Sequence, residues 1–424
     1  MEGNLRVLLF GGGAREHALA YKISTSSLLL KLYLCRPNDG FAHLGEEIEF
    51  DNYKSLAQTA KEIEIDLLVV GPEDPLSEGI VDEFKLVGIP AIGADKKWAR
   101  LESSKSFAKD FMDKNNIPTA KFEIITATEQ IKSTLDKFSV PVVIKADGLA
   151  AGKGVHIASS KIEADTVIND FLNGKYGDAS KKIVVEEFLE GEEISLISIW
   201  DGKTLLPFVP ARDYKRLEDG NNGPNTGGMG SYCPVMIDDY EKTSIQNYLT
   251  TLETALINNN ADFSGIIYSG LILTKQGIKI LEYNMRFGDP ETQALMLHLK
   301  TDILEVFKNA VNQKLNETKL SWKEGSTICL VIASDGYPIN PKNNCKIINA
   351  EEIQEKYNLN VFYAGVKLED NSLLSNGGRV LSICKSNARN DVYSAAQELI
   401  FNDKFYRTDI GEGINEGIAD YSRI

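Results

Sequence analysis

The first hundred residues alternate short apolar runs with segments that have the periodicity of amphipathic helices. Parallel strands joined by crossover helices produce this alternation, so the sequence predicts an α/β fold with an open, doubly wound parallel sheet. Ligands bind such sheets beyond the carboxyl ends of the strands, which here carry residues 11–13, 37–40 and 71–75. The predicted strands are 6–10, 31–35, 66–70 and 88–92, and the predicted helices are 14–24, 54–64 and 76–87.

Two further units follow this sheet. A helix over 98–116 leads into a second unit, which contains a long polar loop over 211–232 and a helix over 240–260. A third unit begins after Trp322, with helices over 350–356 and 391–402. The second unit has predicted strands at 141–145, 155–158, 183–187, 266–273 and 278–283, and the third at 327–333, 361–366 and 379–384.

Composition and charge exclude several classes of protein. The 46 Lys and Arg residues against 61 Asp and Glu give a net charge of −15, which opposes nonspecific binding to nucleic acid or to an anionic membrane. No stretch approaches the roughly 20 apolar residues of a membrane helix, and the N-terminus carries no secretory signal, so a cytoplasmic protein is expected. The five cysteines and four histidines have no metal-ligand spacing, which argues against a zinc site.

The first strand is followed by three glycines, from Gly11 to Gly13, that open a helix. The dinucleotide fingerprint would require a third glycine at position 16, where the chain has Glu16. The backbone amides of such a turn can still hold a phosphate or a carboxylate at the helix N-terminus. The alternative is a tight strand–helix turn with no ligand.

The segment Lys145 to Gly154 is rich in small residues and carries a lysine near each end. It is not a Walker A loop, because three residues rather than four separate Gly148 from Gly152, and Gly154 stands where Ser or Thr would hold magnesium. Small residues let backbone amides approach an anion closely. The pattern predicts a hairpin lid over nucleotide phosphates, with Lys145 and Lys153 adding charge, against the alternative of a flexible hairpin with solvated lysines.

Polar residues alternate at the end of the strand near 278–283. Glu282, Asn284 and Arg286 share one face there if the strand alternation continues, and the turn Gly288 to Glu291 adds acceptors. A carboxylate, an amide oxygen and a guanidinium suit Mg²⁺ together with a phosphate. The alternative is an exposed polar face on an edge strand.

Two weaker patterns complete the set. The strand at 183–187 and the acidic residues that follow it can offer backbone groups to adenine and a carboxylate to ribose. Asn376 to Arg379 has the form of an anion-binding turn with a fixed cation, although these residues alone favour a hairpin turn with an arginine at the surface.

In combination these segments resemble the glycinamide ribonucleotide synthetase family of the ATP-grasp superfamily. The string from Lys145 to Val155 and the string Asn-x-Arg-Phe-Gly-Asp-Pro-Glu-Thr-Gln from Asn284 are highly specific. Matching segments run nearly from end to end: 14–18, 71–73, 104–105, 144–155, 186–193, 223–230, 282–291, 376–379 and 409–411. The resemblance implies three domains over 1–102, 103–325 and 326–424, with a lid at about 121–190.

The resemblance also implies a role for each matched residue. Lys105 and Lys145 would contact ATP phosphates under the loop of Gly148, Gly152, Lys153 and Gly154. Glu186, Glu187 and Leu189 would line the adenine site, Glu193 would bind ribose, and Glu282 and Asn284 would hold Mg²⁺ or Mn²⁺. Arg286, Asp213 and Lys215 would be catalytic. The substrates would be held by Gly11, Gly13, Glu73, Gly288, Asp289, Glu291, Asn376, Gly378 and Arg379.

The activity implied is ATP-dependent ligation of glycine to 5-phosphoribosylamine through glycyl phosphate, in de novo purine synthesis. The implied assembly is a monomer or a weak homodimer that binds neither nucleic acid nor membrane. Alternatives are a nicotinamide-dependent oxidoreductase, a noncatalytic ATP sensor and, within the superfamily, a carboxylating enzyme. The chain departs from the family pattern at Ala14, Pro37, Phe41, Arg212 and Tyr214.

Overall fold

A five-stranded parallel sheet forms the N-terminal unit of the computed structural model, which describes residues 4–150 and 154–414. In spatial order its strands are Glu46–Glu47, Leu29–Cys35, Leu5–Phe10, Leu67–Val70 and Ala91–Ile92. The helices of this unit are Ala14–Ser24, Tyr53–Glu62, Glu73–Glu78 and Ile80–Leu86. The predicted doubly wound parallel sheet is confirmed by the parallel pairing of its strands. Leu5–Phe10 and Leu67–Val70 are mostly apolar and buried, as is typical of parallel sheets, whereas Glu46–Glu47 at one edge is exposed.

Two predicted helices are each divided in two. The helix expected over 76–87 breaks at Gly79, whose φ of 100° lies in the left-handed region. The helix expected over 98–116 is Arg100–Ser103 followed by Lys105–Lys114, because Ser104 is extended and caps the second helix by accepting from the Phe107 amide.

A separate four-stranded antiparallel sheet covers residues 122–187. Its spatial order is Phe122–Ile125, Ile183–Glu187, Val142–Ala146 and Val155–Ala158, with helices Ile131–Leu135 and Lys161–Leu172 packed on it. Its side chains, from Ile125 to Val185, form a hydrophobic cluster of their own. We call residues 122–187 the lid, since a unit with its own core can move as one body.

A second antiparallel sheet faces the lid and packs on the N-terminal unit. Its spatial order is Leu205–Pro207, Glu192–Trp200, Gly265–Thr274 and Gly277–Asn284. The helices Asp239–Asn258, Glu291–His298 and Ile303–Val311 surround it. Two hydrophobic clusters run from this sheet into the N-terminal sheet, so these parts form one continuous body.

The C-terminal unit is built on the strands Thr327–Ser334, Arg379–Ser386 and Asn360–Tyr363, with helices Ala350–Tyr357 and Arg389–Glu398. A three-stranded sheet of Lys346–Ile347, Ser372–Ser375 and Val366–Glu369 packs beside them, and Lys404–Phe405 pairs with Thr327–Ser334. No helix in the described ranges is long and apolar enough to cross a membrane.

The predicted loop over 211–232 is wrong, since this segment is largely extended. Arg212–Asp213 and Gly230–Cys233 pair with each other, and Gly230–Cys233 also pairs with Thr327–Ser334 of the C-terminal unit. Arg216–Glu218 and Asn222–Asn225 form a short outer hairpin. We call residues 212–233 the site hairpin. Its Gly- and Asn-rich composition is typical of loops, but its register is set by a distant strand.

Candidate active site

The lid and the facing sheet bring buried charges together where the strand Gly277–Asn284 carries a bulge. Gly270 pairs with Glu282 and Leu271 with Ile280, so Leu281 is the extra residue. The bulge shifts the alternation of side chains between the two faces of the strand. Glu282 and Asn284 therefore lie on the same face as Lys279, which precedes the bulge. The Leu281 carbonyl is also left to accept from Lys145 Nζ at 3.2 Å.

Lys145 is nearly buried and lies beside Glu186. Its Nζ is 3.0 Å from both Glu186 carboxylate oxygens. Lys109, which is also buried, approaches Glu186 Oε2 at 3.1 Å and donates to Thr119 Oγ1 at 2.7 Å. Burial lowers the pKa of Lys109 to about 8. Glu186 Oε1 is buried and makes no hydrogen bond within the described residues, and its contact there is the ion pair with Lys145.

Glu282 is a carboxylate without a direct partner. Within residues 4–150 and 154–414, no hydrogen bond or ion pair engages the carboxylate oxygens of Glu282 or the side-chain amide of Asn284. Burial acts to raise the pKa of Glu282, but the surrounding cations outweigh burial and lower it. These cations are Lys215, Lys105, Lys145 and Arg286.

The donor set at this point fits a hard divalent cation. One carboxylate and one amide oxygen are typical of Mg²⁺ sites that take their other ligands from phosphates and water. The described residues contain no cluster of three His, Cys, Asp or Glu side chains that would hold a metal by themselves. A metal at Glu282 and Asn284 therefore needs a ligand such as a polyphosphate, and the neighbouring lysines suit one.

Arg286 joins this strand to the N-terminal unit. Its guanidinium lies 3.0 Å from Glu102 Oε1 and 3.3 Å from Glu73 Oε2. Burial acts to raise the pKa of Glu73, but Arg286 and Arg15 lower it, whereas for the fully buried Glu102 burial dominates and the pKa is raised. Arg286 is thus held by two carboxylates and faces the end of the parallel sheet.

The turn Gly288 to Glu291 lies against the C-terminal unit. Glu291 is buried and accepts from Ser195 Oγ at 2.8 Å. A Cβ at Gly288 would lie 2.5 Å from Glu291 Oε2, so this approach requires glycine. Asp289 Oδ2 is 3.0 Å from Arg379, whose guanidinium also donates to the carbonyls of Asp289 and Gly227.

Asp213 and Lys215 project from the site hairpin toward the same region. Lys215 Nζ is 2.8 Å from Glu193 Oε2 and 4.0 Å from Asp213 Oδ1. Burial raises the pKa of Asp213 to about 7, with help from the carboxylates of Glu291 and Glu193 and against Lys215. The pKa of Lys215 is raised well above its usual value, since its acidic neighbours outweigh burial. Lys215 therefore keeps its positive charge around neutral pH, whereas Asp213 titrates near neutrality.

The N-terminal glycines lie beside a cleft between the first and third units. The Gly11 amide donates to the Cys35 carbonyl and the Gly13 amide to Glu16 Oε2, so both are already used within the protein. The cleft has a volume of about 310 Å³. Its polar lining comes from Gly12, Arg36, Asn38, Asp39, Lys367 and Asn376. Gly378 lies nearby under the ring of Tyr337, where a Cβ would come within 2.1 Å.

The remaining predicted ligand residues occupy the lid and its junction with the facing sheet. Glu187 accepts from Lys279 Nζ at 2.8 Å and from the Lys121 amide at 2.9 Å, and Leu189 is half-buried beyond it. The Gly148 amide donates to Ala179, and the Gly154 carbonyl accepts from Ala146. Gly152 and Lys153 lie outside the described residues.

Three residues of the site were not predicted from the sequence. Lys109 stands on the buried face of an amphipathic helix, which is the signal that could have identified it. Glu102 holds Arg286 and accepts from the Met285 amide at 2.7 Å. Asp147 accepts from the Ser106 amide at 2.6 Å, and its carbonyl accepts from the Lys105 amide at 2.9 Å, so it ties the helix of Lys105 to the lid.

Three departures from the family pattern have structural partners. Phe41 is buried and stacks on His17 with ring centroids 5.0 Å apart. Arg212 pairs with Glu192 at 2.6 Å. Tyr214 lies under the Arg407 guanidinium, 4.9 Å from its ring centroid, and its hydroxyl accepts from the Gly411 amide.

Comparison with known proteins agrees with this architecture over most of the chain. Residues 5–102, 103–292 and 327–413 match the N domain, the ATP-grasp (A) domain and the C domain of phosphoribosylglycinamide synthetase. A phosphoribosylamine–glycine ligase of Brucella melitensis is 41% identical over 416 residues, which are 96% of this chain and 97% of the relative.

Solved structures give the same result. A phosphoribosylamine–glycine ligase of Thermotoga maritima has a TM-score of 0.83 and 34% identity, covering 96% of this chain and all of that one. The biotin carboxylase domain of a Hydrogenobacter thermophilus 2-oxoglutarate carboxylase, in complex with MgADP, ADP and bicarbonate, shares the fold with a TM-score of 0.72. It is 15% identical, and the match covers 96% of this chain and 92% of that one. This chain belongs to the phosphoribosylglycinamide synthetase family.

Proposed function

We propose that this chain is a ligase that joins glycine to 5-phosphoribosylamine at the expense of ATP, giving glycinamide ribonucleotide, ADP and phosphate. The observation that carries the proposal is the unpartnered Glu282 carboxylate among four cationic side chains. Relatives named phosphoribosylamine–glycine ligase at about 41% identity support the choice of substrates.

ATP is placed between the lid and the facing sheet. Lys145 and Lys105 hold its phosphates, and the loop over 148–154 covers them. Glu186 Oε1, which makes no hydrogen bond within the described residues although Lys145 lies 3.0 Å from it, can accept from the adenine amino group, and Glu187 and Leu189 line the base. Glu193 holds the ribose, and the lysine that now pairs with it, Lys215, is free to turn toward the phosphates when ATP is bound.

Glu282 and Asn284 would hold a divalent cation, Mg²⁺ or Mn²⁺, together with the ATP phosphates. When bound, it offsets phosphate charge during phosphoryl transfer. The chain supplies the rest of the positive charge from Lys105, Lys145 and Arg286, in a site from which the lid excludes water. The work is positioning and electrostatic stabilisation, so no protein nucleophile is required.

The reaction proceeds in two steps. The glycine carboxylate attacks the γ-phosphorus of ATP, releasing ADP and forming glycyl phosphate. The amine of phosphoribosylamine then attacks the acyl carbon, expels phosphate and loses a proton. Arg286 and the turn of Gly288, Asp289 and Glu291 face the acyl group, and Asp213 accepts the proton.

The cleft between the first and third units holds phosphoribosylamine. Its lining offers Arg36 and Lys367 to the phosphate and the amides of Asn38 and Asn376 to the ribose hydroxyls. Because glycine has no side chain, the backbone segments can approach closely there at Gly11, Gly13 and Gly378. Glu73 and Arg379 lie at the edge nearest Arg286, where the amine meets the acyl phosphate.

Three domains carry these parts. We assign residues 1–102 to binding the amine, residues 103–325 to binding ATP, and residues 326–424 to closing the amine cleft. The second domain includes the lid, near 121–190. The separate core of the lid supports its treatment as one moving body.

The pH dependence tests the role of Asp213. With its pKa raised to about 7, Asp213 is protonated below that pH and becomes a base above it. We expect kcat/KM for the amine to rise about tenfold per pH unit up to about 7 and then level off. The Asp213→Asn variant should lack this limb. Ionisation of the substrate affects both proteins equally, so the ratio of the two profiles isolates Asp213, and a constant ratio would refute the assignment.

The activity itself is tested by phosphate release in reactions that omit one component at a time. Release that needs ATP, glycine and phosphoribosylamine together supports the ligase. Release with bicarbonate in place of glycine would indicate a carboxylating enzyme instead. Nucleotide binding without any turnover would indicate a sensor, and an NADH fluorescence change on binding would indicate an oxidoreductase.

A further inference from the structure

The site hairpin extends from the C-terminal unit to the charged site. The Lys215 carbonyl accepts from the amide and the hydroxyl of Thr226 at 2.8 and 2.9 Å, and Lys215 Nζ reaches Glu193. Beyond this point the outer hairpin is exposed at its tip, Asp219–Asn221. A two-stranded hairpin of this length is marginally stable by itself, so other contacts must fix its position.

Arg407 supplies such contacts from the far end of the chain. Arg407 is 1% exposed, which is exceptional for arginine. It donates to the Arg216 carbonyl at 3.0 Å and to Asn221 Oδ1 at 3.2 Å. It also forms a two-pronged pair with Asp409 and lies over the ring of Tyr214. The buried Arg407 thus contacts the site hairpin at three places: Tyr214 near its base, Arg216 in its outer strand and Asn221 at its tip.

Neighbouring residues strengthen the connection. Asp219 accepts from the Thr408 amide at 2.8 Å and from its hydroxyl. Asp409 Oδ2 accepts from the Gly220 amide at 2.9 Å. The segment 407–411 is itself fixed, because Arg389 donates to the carbonyls of Thr408 and Ile410, and Ile410 is buried in the C-terminal core.

We propose that Arg407, together with Thr408 and Asp409, is a latch that holds the site hairpin so that Asp213 and Lys215 face the reacting groups. Arg407 is then a positioning residue, far in sequence from the chemistry. This inference rests on the roles given to Asp213 and Lys215 in the proposed function. Its physical basis is that small misplacement of a catalytic group costs up to about 100-fold in rate.

Two variants test the latch at different points. Asp219→Ala removes the exposed contacts to Thr408 with little risk to folding, and Arg407→Met removes the buried cation. Arg407→Lys is the conservative variant, which keeps the charge but not the forked geometry. The matched control is Lys356→Ala, which breaks an exposed ion pair with Glu398 on the same unit, away from the site hairpin.

Two measurements are made on each purified full-length variant. Trypsin cleavage after Lys215 and Arg216, followed by mass spectrometry, reports whether the hairpin is held. Steady-state kinetics with all three substrates separate kcat from KM, and the melting temperature reports overall folding. We expect Asp219→Ala to accelerate hairpin cleavage and to lower kcat about tenfold, with KM for ATP within about twofold. Arg407→Met should lose more activity, and Arg407→Lys should recover part of it.

The outcomes separate the possible failures. The positioning role would be overturned if hairpin cleavage became faster while kcat stayed unchanged. It would also be overturned if the melting temperature fell while hairpin protection and kcat stayed intact. If the unmodified protein does not ligate glycine, the proposed function fails, while cleavage after Lys215 and Arg216 still shows whether Arg407 holds the hairpin. Unchanged cleavage in both Asp219→Ala and Arg407→Met would overturn the latch itself.

Discussion

Replacing Lys145 by alanine is expected to lower kcat by about 10²- to 10³-fold at saturating ATP, the loss that follows removal of one preorganised donor of about 3–4 kcal/mol. Lys145 is held from two sides, by Glu186 at 3.0 Å and by the bulge carbonyl of Leu281 at 3.2 Å. Because its position is fixed before ATP binds, the ammonium acts on the phosphates without the cost of ordering a flexible side chain. The loss should therefore appear in kcat as well as in KM.

The matched control is Lys132→Ala, an exposed lysine on the same lid. A second variant, Lys145→Met, keeps the aliphatic stem and shows whether packing alone matters. Glu186 retains Lys109 in both Lys145 variants, so the buried carboxylate is not left without a cation. Near-normal turnover in correctly folded Lys145→Ala would remove Lys145 from the phosphate site and make its pairing with Glu186 purely structural.

The parallel sheet was predictable because four of its five strands lie in local apolar runs, whereas the short strand Glu46–Glu47 has no such pattern and was not predicted. Strands such as Leu5–Phe10 and Leu67–Val70 are mostly apolar runs, followed by Gly11 and by Gly71-Pro72, and this pattern indicates a buried strand that ends in a turn. The site hairpin was not predictable, because its pairing depends on Thr327–Ser334 and on Arg407, a hundred to two hundred residues away. Short polar strands have weak preferences of their own.

The candidate site likewise contains residues that local sequence pattern could predict and residues that it could not. Glu282 and Asn284 were found by strand alternation, which holds at this point because the bulge at Leu281 precedes them. Glu102 was missed because its sequence position is an ordinary helix position that only tertiary packing turns inward, whereas the buried face of its amphipathic helix could have identified Lys109. The resemblance indicates which residues are expected to touch ligands, whereas the structure adds residues that hold those side chains in place.

The proposed metal site gives the second large expected effect. Glu282→Gln preserves the size of the side chain and one oxygen but removes the charge that attracts a cation. We expect the Mg²⁺ concentration for half-maximal activity to rise by about 10- to 100-fold, the range known even for groups that only orient a metal ligand. In the absence of metal the same change relieves the attraction between Glu282 and its cationic neighbours, so Lys215 and Arg286 should be held less firmly.

The experiment is a titration of Mg²⁺ and, separately, of Mn²⁺ at fixed ATP, with phosphate release as the readout. Glu129→Gln, an exposed acid on the lid, is the matched control, because it changes net charge by the same amount away from the site. Asn284→Leu should shift the metal curve in the same direction, since it removes the second oxygen. An unchanged curve for both Glu282→Gln and Asn284→Leu would place the metal elsewhere. The unpartnered carboxylate would then be a direct contact to the phosphate-binding lysines, acting without a metal.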